Sequence, residues 1–175
     1  LRVAPVAAVP FWMMHIGADT RPYGAGSHYD DPSILGFSHL HKSGGGCADF
    51  LDILFMPLPL NSGMADEELY LKQYQAVLSH KDEKAEPGYY SVGLYDKQLT
   101  VELTASRRCG LQRYTYASEG EIPVIVDLKY GSESACTIQS EHDVDTVYAS
   151  AFEWVDPYTV RGYRCSNGWT PGQQV

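Results

Sequence analysis

From Gly88 to Arg164 the sequence is a succession of short extended runs cut by turn residues, and this pattern limits the chain's fold more than any other feature. In "LTVELTA" (99–105), Leu99, Val101, Leu103 and Ala105 alternate with Thr100, Glu102 and Thr104, the period of a strand with one buried face. "YYSVGLY" (89–95) precedes it across "DKQ", a spacing that predicts a β-hairpin with a short loop. Further runs are "LQRYTY" (111–116), "IPVIVDL" (122–128), "ACTIQ" (135–139), "TVYASAF" (146–152) and "TVRGYR" (159–164). Strands recurring about every ten residues with no helical period between them predict an all-β protein, an antiparallel β-sandwich or barrel.

One helix at most is expected. The segment "DEELYLKQYQAVL" (66–78) opens with acidic residues, as a helix dipole favours, although its later half reads equally as a strand. The first sixty residues are rich in Gly, Pro, Ser and His, and read as long connections around two strands, near "VPFWMMHI" and "DILFMPL". Long loops on a sheet scaffold are where binding residues gather. Thirteen tyrosines suit both sheet packing and stacking against sugar faces.

The net charge of −9 removes the basic footprint that nucleic acid or an anionic membrane would need. No apolar run approaches the roughly twenty residues of a membrane span. The opening "LRVAPVAAVPFWMM" lacks both an initiator Met and the layout of a signal peptide, so the chain reads as a piece of an exported protein whose signal would lie upstream. Cys47, Cys109, Cys136 and Cys165 form no C-x-x-C pair, which speaks against a zinc ribbon or a thioredoxin-type motif and leaves three pairings or all-reduced thiols open.

The chemistry is densest in "GFSHLHKSGGGCADFLD" (36–52). On a strand His39 and His41 would share a face, and Asp49 or Asp52 could add an oxygen ligand, but the companion spacing of a metal site is missing. A phosphate cradle would need Lys-Ser/Thr after the glycines. A nucleophilic Cys47 would need a positioned histidine and a helix N-terminus. Two readings remain open: a tight connection in which the triple glycine supplies positive φ while the histidines satisfy buried polar groups, and a ligand-facing loop whose His, Asp and Ser side chains bond sugar hydroxyls.

The order of several segments bears on that choice. "VPFWMMHIGADTR" (9–21), "YDDPSILGFSHLHKSGGGCADFLDILFMP" (29–57), "LSHKDEKAEPGYYSVGL" (78–94), "TVELTASRRCGLQRYTY" (100–116) and "VRGYRCSNGWTPGQQV" (160–175) together closely resemble the amino-terminal domain of the glycoside hydrolase family 92 exo-α-mannosidases. The resemblance implies that residues 1–175 form a supersandwich-type β-sandwich, truncated at its first strand, and that a larger helical (α/α)₆ domain follows beyond them. It implies calcium-dependent, inverting removal of terminal α-mannose from N-glycans or mannans, with the catalytic acid, the general base and the calcium ligands on the helical domain. The sandwich would line one side of the cleft, with His39, His41, Ser43, Gly45, Cys47, Asp49 and Asp52 as substrate-binding residues, Asp49 or His41 nearest the sugar, and neither catalytic residues nor metal ligands of its own. The implied partners are mannose-containing glycans and the helical domain, and the implied location is secreted, periplasmic or cell-surface. The rival readings are a non-catalytic carbohydrate-binding or scaffold module, and an independent metalloenzyme using His39 and His41.

Departures from the family pattern qualify this. An insert that contacts the leaving-group sugar in many relatives is replaced by the short "PYGAGSH" (22–28), which puts linkage preference in doubt. "PFWMM" stands for a more usual "PFGM", and "GGGCADFLD" for "GTGCGDxGD", so Ala48 and Leu51 replace glycines and predict a differently packed loop. Glu83 and Glu86 read as residues of a solvated turn. Arg107, Arg108 and Arg113 read as caps on a sheet face, and Trp169 as a contact for the helical partner.

Overall fold

The computed structural model describes residues 4–10, 13–22, 25–41, 50–62, 75–131, 146–167 and 173–174. Its strands are β1 (Val6–Ala8), β2 (His15–Asp19), β3 (Ser33–Ile34), β4 (Gly36–Ser38), β5 (Leu54–Pro57), β6 (Ala76–Val77), β7 (Glu83–Glu86), β8 (Tyr89–Leu94), β9 (Leu99–Ala105), β10 (Gly110–Tyr116), β11 (Val124–Asp127), β12 (Thr146–Asp156), β13 (Thr159–Asn167) and β14 (Gln173–Gln174). A five-stranded sheet, ordered β1-β2-β4-β5-β11, packs face to face on a four-stranded sheet, β10-β9-β8-β7, through contacts of β1 with β8 and β9 and of β2 with β9. The sandwich expectation holds. A three-stranded sheet, β12-β13-β14, and a small pair, β3-β6, complete the fold, and all the strand pairs are antiparallel.

The β8–β9 hairpin forms as the alternation predicts. Its register pairs Tyr90 with Leu103, Val92 with Val101 and Leu94 with Leu99, and all six side chains are buried. The "DKQ" connection is a single 3₁₀ turn, Tyr95–Lys97, closed by Gln98 in the left-handed region. From the facing sheet Ala7, Ile16, Ala18, Phe37 and Met56 meet this ladder in one core. Each fully buried Val or Leu contributes about 1.5–3 kcal/mol relative to exposure. Tyrosine serves the sheets as anticipated: Tyr114 and Tyr116 flank the core, and the Tyr116 hydroxyl donates to the Leu58 carbonyl at 2.6 Å, joining the two layers.

Several sequence expectations need correction. The described part of the helix candidate, its end at Ala76–Val77, is a strand paired with Ser33–Ile34; residues 66–74 lie outside the described residues. Among the described residues the helical content is two 3₁₀ turns, His80–Asp82 and Tyr95–Lys97. The strand expected near "VPFWMMHI" is β2, which begins at His15. Glu83 and Glu86 belong to β7 rather than to a solvated turn. Arg113 does cap a sheet face: its guanidinium grips the Glu102 carboxylate with two bonds, at 2.6 and 2.7 Å. The run at 135–139 and Trp169 lie outside the described residues. Cys109 and Cys165 are free thiols.

Candidate functional site

The pairing of β2 with β4 builds the centre of the signature loop. Its register sets Asp19 opposite Gly36 and Gly17 opposite Ser38, so the Asp19 carboxylate ends up buried beside the Ser38 backbone, whose N–H donates to Oδ2 at 2.8 Å. Past Ser38 the chain leaves the strand and zips against β2 by two backbone bonds, His15 N–H to His39 O and His41 N–H to His15 O, each 3.2 Å. His41 is thereby driven under the loop at Ala25. Its Nδ1 lies 2.8 Å from the Ala25 carbonyl, which can only accept, so Nδ1 carries a proton. Nε2 lies 3.1 Å from Ser38 Oγ and 3.5 Å from Asp19 Oδ2. Burial opposes charge on His41, but the Asp19 carboxylate and the hydrogen bonds to Asp19 and Ala25 outweigh it and raise the pKa above that of free imidazole. Asp19 and His41 form a buried pair that is ionic whenever the ring is protonated.

His39 has other neighbours. Because β4 ends at Ser38, the strand geometry that would set both rings on one face is absent. The His39 ring is half-buried and meets Phe55 edge-on, with centroids 4.9 Å apart. Burial lowers its pKa, against the pull of Asp19. The pKa values of two neighbouring histidines are thus pushed in opposite directions.

Asp52 is fixed from the far end of the chain. It is buried and forms an ion pair with Arg164 of β13, whose Nη1 also donates to Ser166 Oγ at 2.9 Å. Leu51 N–H donates to Leu40 O at 2.9 Å, which sets these two residues side by side. Leu51 itself has φ of 60°, flanked by Phe50 at 72° and Ile53 at 55°. Leucine therefore occupies a left-handed position that favours glycine, at a cost of roughly 1–3 kcal/mol. Its side chain offsets this by full burial with Leu54 and Tyr130. Gly26, at φ of 82°, makes the room: a Cβ there would stand 2.6 Å from Leu51 Cδ2 and 2.8 Å from the His41 ring.

A second network ties the flanking motifs together. Thr20 Oγ1 donates to Asp31 at 2.5 Å, and Arg21 binds the same carboxylate with Nε at 2.7 Å and with Nη2. The Arg21 bond holds the Asp31 carboxyl below its usual range. On the other side of this turn His80 stacks flat on Tyr29, with centroids 4.0 Å apart. His80 Nε2 meets the Tyr29 carbonyl at 2.6 Å and Nδ1 meets Glu83 at 2.5 Å, while Tyr90 donates to the other Glu83 oxygen at 2.7 Å. The Glu83 bond raises the His80 pKa.

Of the residues expected at the site, His39, His41 and Asp52 come together around the ends of β2, β4 and β5, whereas Ser43, Gly45, Cys47 and Asp49 lie outside the described residues. His41 and Asp52 are engaged with protein partners, and His39 is the more accessible. Sequence reasoning missed Asp19, Ser38, Arg164 and Ser166. Arg164 and Ser166 occupy alternate positions of one strand, a spacing that could have flagged two polar groups on one face. Among the described residues no group of three or more His, Cys, Asp or Glu could hold a metal.

With this geometry in place, comparison with known proteins decides the family. The sequence profile described as the glycosyl hydrolase family 92 N-terminal domain matches residues 1–175. The chain belongs to glycosyl hydrolase family 92. The family 92 α-mannosidase BT3965 of Bacteroides thetaiotaomicron superposes with a TM-score of 0.84 at 28% identity, over 99% of this chain and 23% of that one. The same enzyme in complex with mannoimidazole gives 0.82 and 29%, over 99% of this chain and 22% of that one. An uncharacterized secreted glycosidase of Arthroderma benhamiae is 28% identical over 158 residues, 84% of this chain and 20% of the relative. This family 92 chain thus spans about a fifth to a quarter of the length of the proteins it matches.

Proposed function

We propose that this chain is the amino-terminal domain of a secreted exo-α-mannosidase and forms one wall of a cleft completed by a helical domain. What supports the reading best is the likeness to BT3965 over 99% of the chain, including its complex with mannoimidazole. Hydrolysis with inversion takes two carboxyl groups roughly 6.5–9.5 Å apart, one protonating the leaving oxygen and one activating water. Both would come from the helical domain, which would also hold the calcium ion that engages the sugar hydroxyls. The part of this chain is to bind and orient. The two buried pairs, Asp19–His41 and Asp52–Arg164, hold His41 and Asp52 in place, so these two would act by positioning. His39, the more accessible of the described candidates, would contact the ligand.

The decisive experiment is mannose release by the full-length protein from α1,2-, α1,3- and α1,6-linked disaccharides, with and without a calcium chelator, the anomer being read by NMR. Release of β-mannose that the chelator abolishes is the expected result. A full-length protein that binds mannan but releases nothing would replace the enzyme with a carbohydrate-binding module.

A further inference from the structure

The β12–β13 hairpin carries a bare apolar face that neither the sandwich nor the proposed cleft uses. Its register pairs Ser150 with Arg164, Phe152 with Gly162 and Trp154 with Val160, and directly paired residues of an antiparallel ladder point to the same side. At its base this face is interior, where Arg164 and Ser166 are buried against Asp52. Farther out the same face presents Phe152, Trp154 and Val160, exposed at 59, 68 and 45%. Gly162 lets the two strands approach closely here: a Cβ on it would stand 2.9 Å from Phe152 Cβ. The other face carries the Glu153–Arg161 ion pair and the exposed Tyr163. A two-stranded ribbon alone is marginal in water, so an inward face that runs on uncovered marks a missing layer.

We infer that the Phe152–Trp154–Val160 face is the seat on which the remainder of the full-length polypeptide docks, an inference that rests on reading this chain as one domain of a longer mannosidase. Solved relatives of which this chain covers only 22–23% leave ample further chain to fill that layer. The chemistry of the face favours protein over sugar. A sugar site sets hydrogen-bonding groups beside its stacking rings, whereas this face offers an aliphatic Val160, a phenyl ring without a polar tip, and Ser150 as its nearest polar neighbour. A second copy would bring another −9 of charge, which disfavours self-association.

Hydroxyl-radical footprinting of the 175-residue chain and of the full-length protein tests this without depending on catalysis. Trp154 and Phe152 are expected to oxidise readily in the short chain and roughly tenfold or more slowly in the long monomer, as desolvated interface anchors do. F152S/W154S in the full-length protein is expected to split its calorimetric transition in two, while E153Q/R161Q on the opposite face leaves the transition single. Equal oxidation in both chains overturns the inference. So does protection that appears only in a dimer of the short chain, or only when mannan is added. Protection of Trp154 in a full-length protein that releases no mannose sinks the proposed function and leaves the docking face standing.

Discussion

Breaking the buried Asp52–Arg164 pair from one side should hurt far more than deleting it from both. Arg164 is 0% exposed and Asp52 1%, so Asp52→Asn takes from an interior guanidinium the carboxylate it is paired with, and Arg164→Met takes the guanidinium from the Asp52 carboxylate. Removing one partner of such a pair costs about 3–5 kcal/mol, whereas replacing both with neutral groups of similar volume is often near neutral. In a domain of this size each kcal/mol shifts the melting temperature by about 2–4 °C, so each single variant should melt roughly 6–20 °C lower. Urea unfolding of wild type, both singles and D52N/R164M closes the cycle. The coupling energy should be a large fraction of either single effect. A D52N variant within 1 kcal/mol of wild type, or a double variant as unstable as the sum of the singles, would refute the reasoning.

The His80 cluster gives a pH signature of definite sign. Because the Glu83 bond raises the folded pKa of His80, its stabilisation is complete below the unfolded imidazole value and fades as pH rises through the folded one. The gap in urea midpoint between wild type and H80Q should therefore be wider at pH 5 than at pH 8; an equal gap at both would reject the ion-pair account. Gly26→Ala combines a positive φ with a Cβ pressed on Leu51 and His41, so it should destabilise by at least about 1–3 kcal/mol, read from the same midpoints.

What the sequence disclosed and what it hid divide along the range of the interactions. The β8–β9 hairpin was legible because strand alternation and a short turn are local, and the Leu99, Val101 and Leu103 face is buried as read. β12 was legible as a strand but not in its length: "EWVD" (153–156) has no buried face to alternate with, since that part of the ribbon is solvated on both sides. The family motifs were legible as words but not as contacts. Nothing near Asp52 announces Arg164, and nothing near Ala25 announces that its carbonyl seats His41. Glu83 was misread from the surface bias of its type, although a histidine three residues before it, His80, is the spacing at which a turn brings two side chains together.

The 112 residues between Asp52 and Arg164 also set an order of events in the making of the protein. At about 5–20 residues per second, the carboxylate leaves the ribosome several to some twenty seconds before its guanidinium does. Through that interval Asp52 must stay hydrated. The buried pair therefore closes only once the β12–β13 ribbon has emerged.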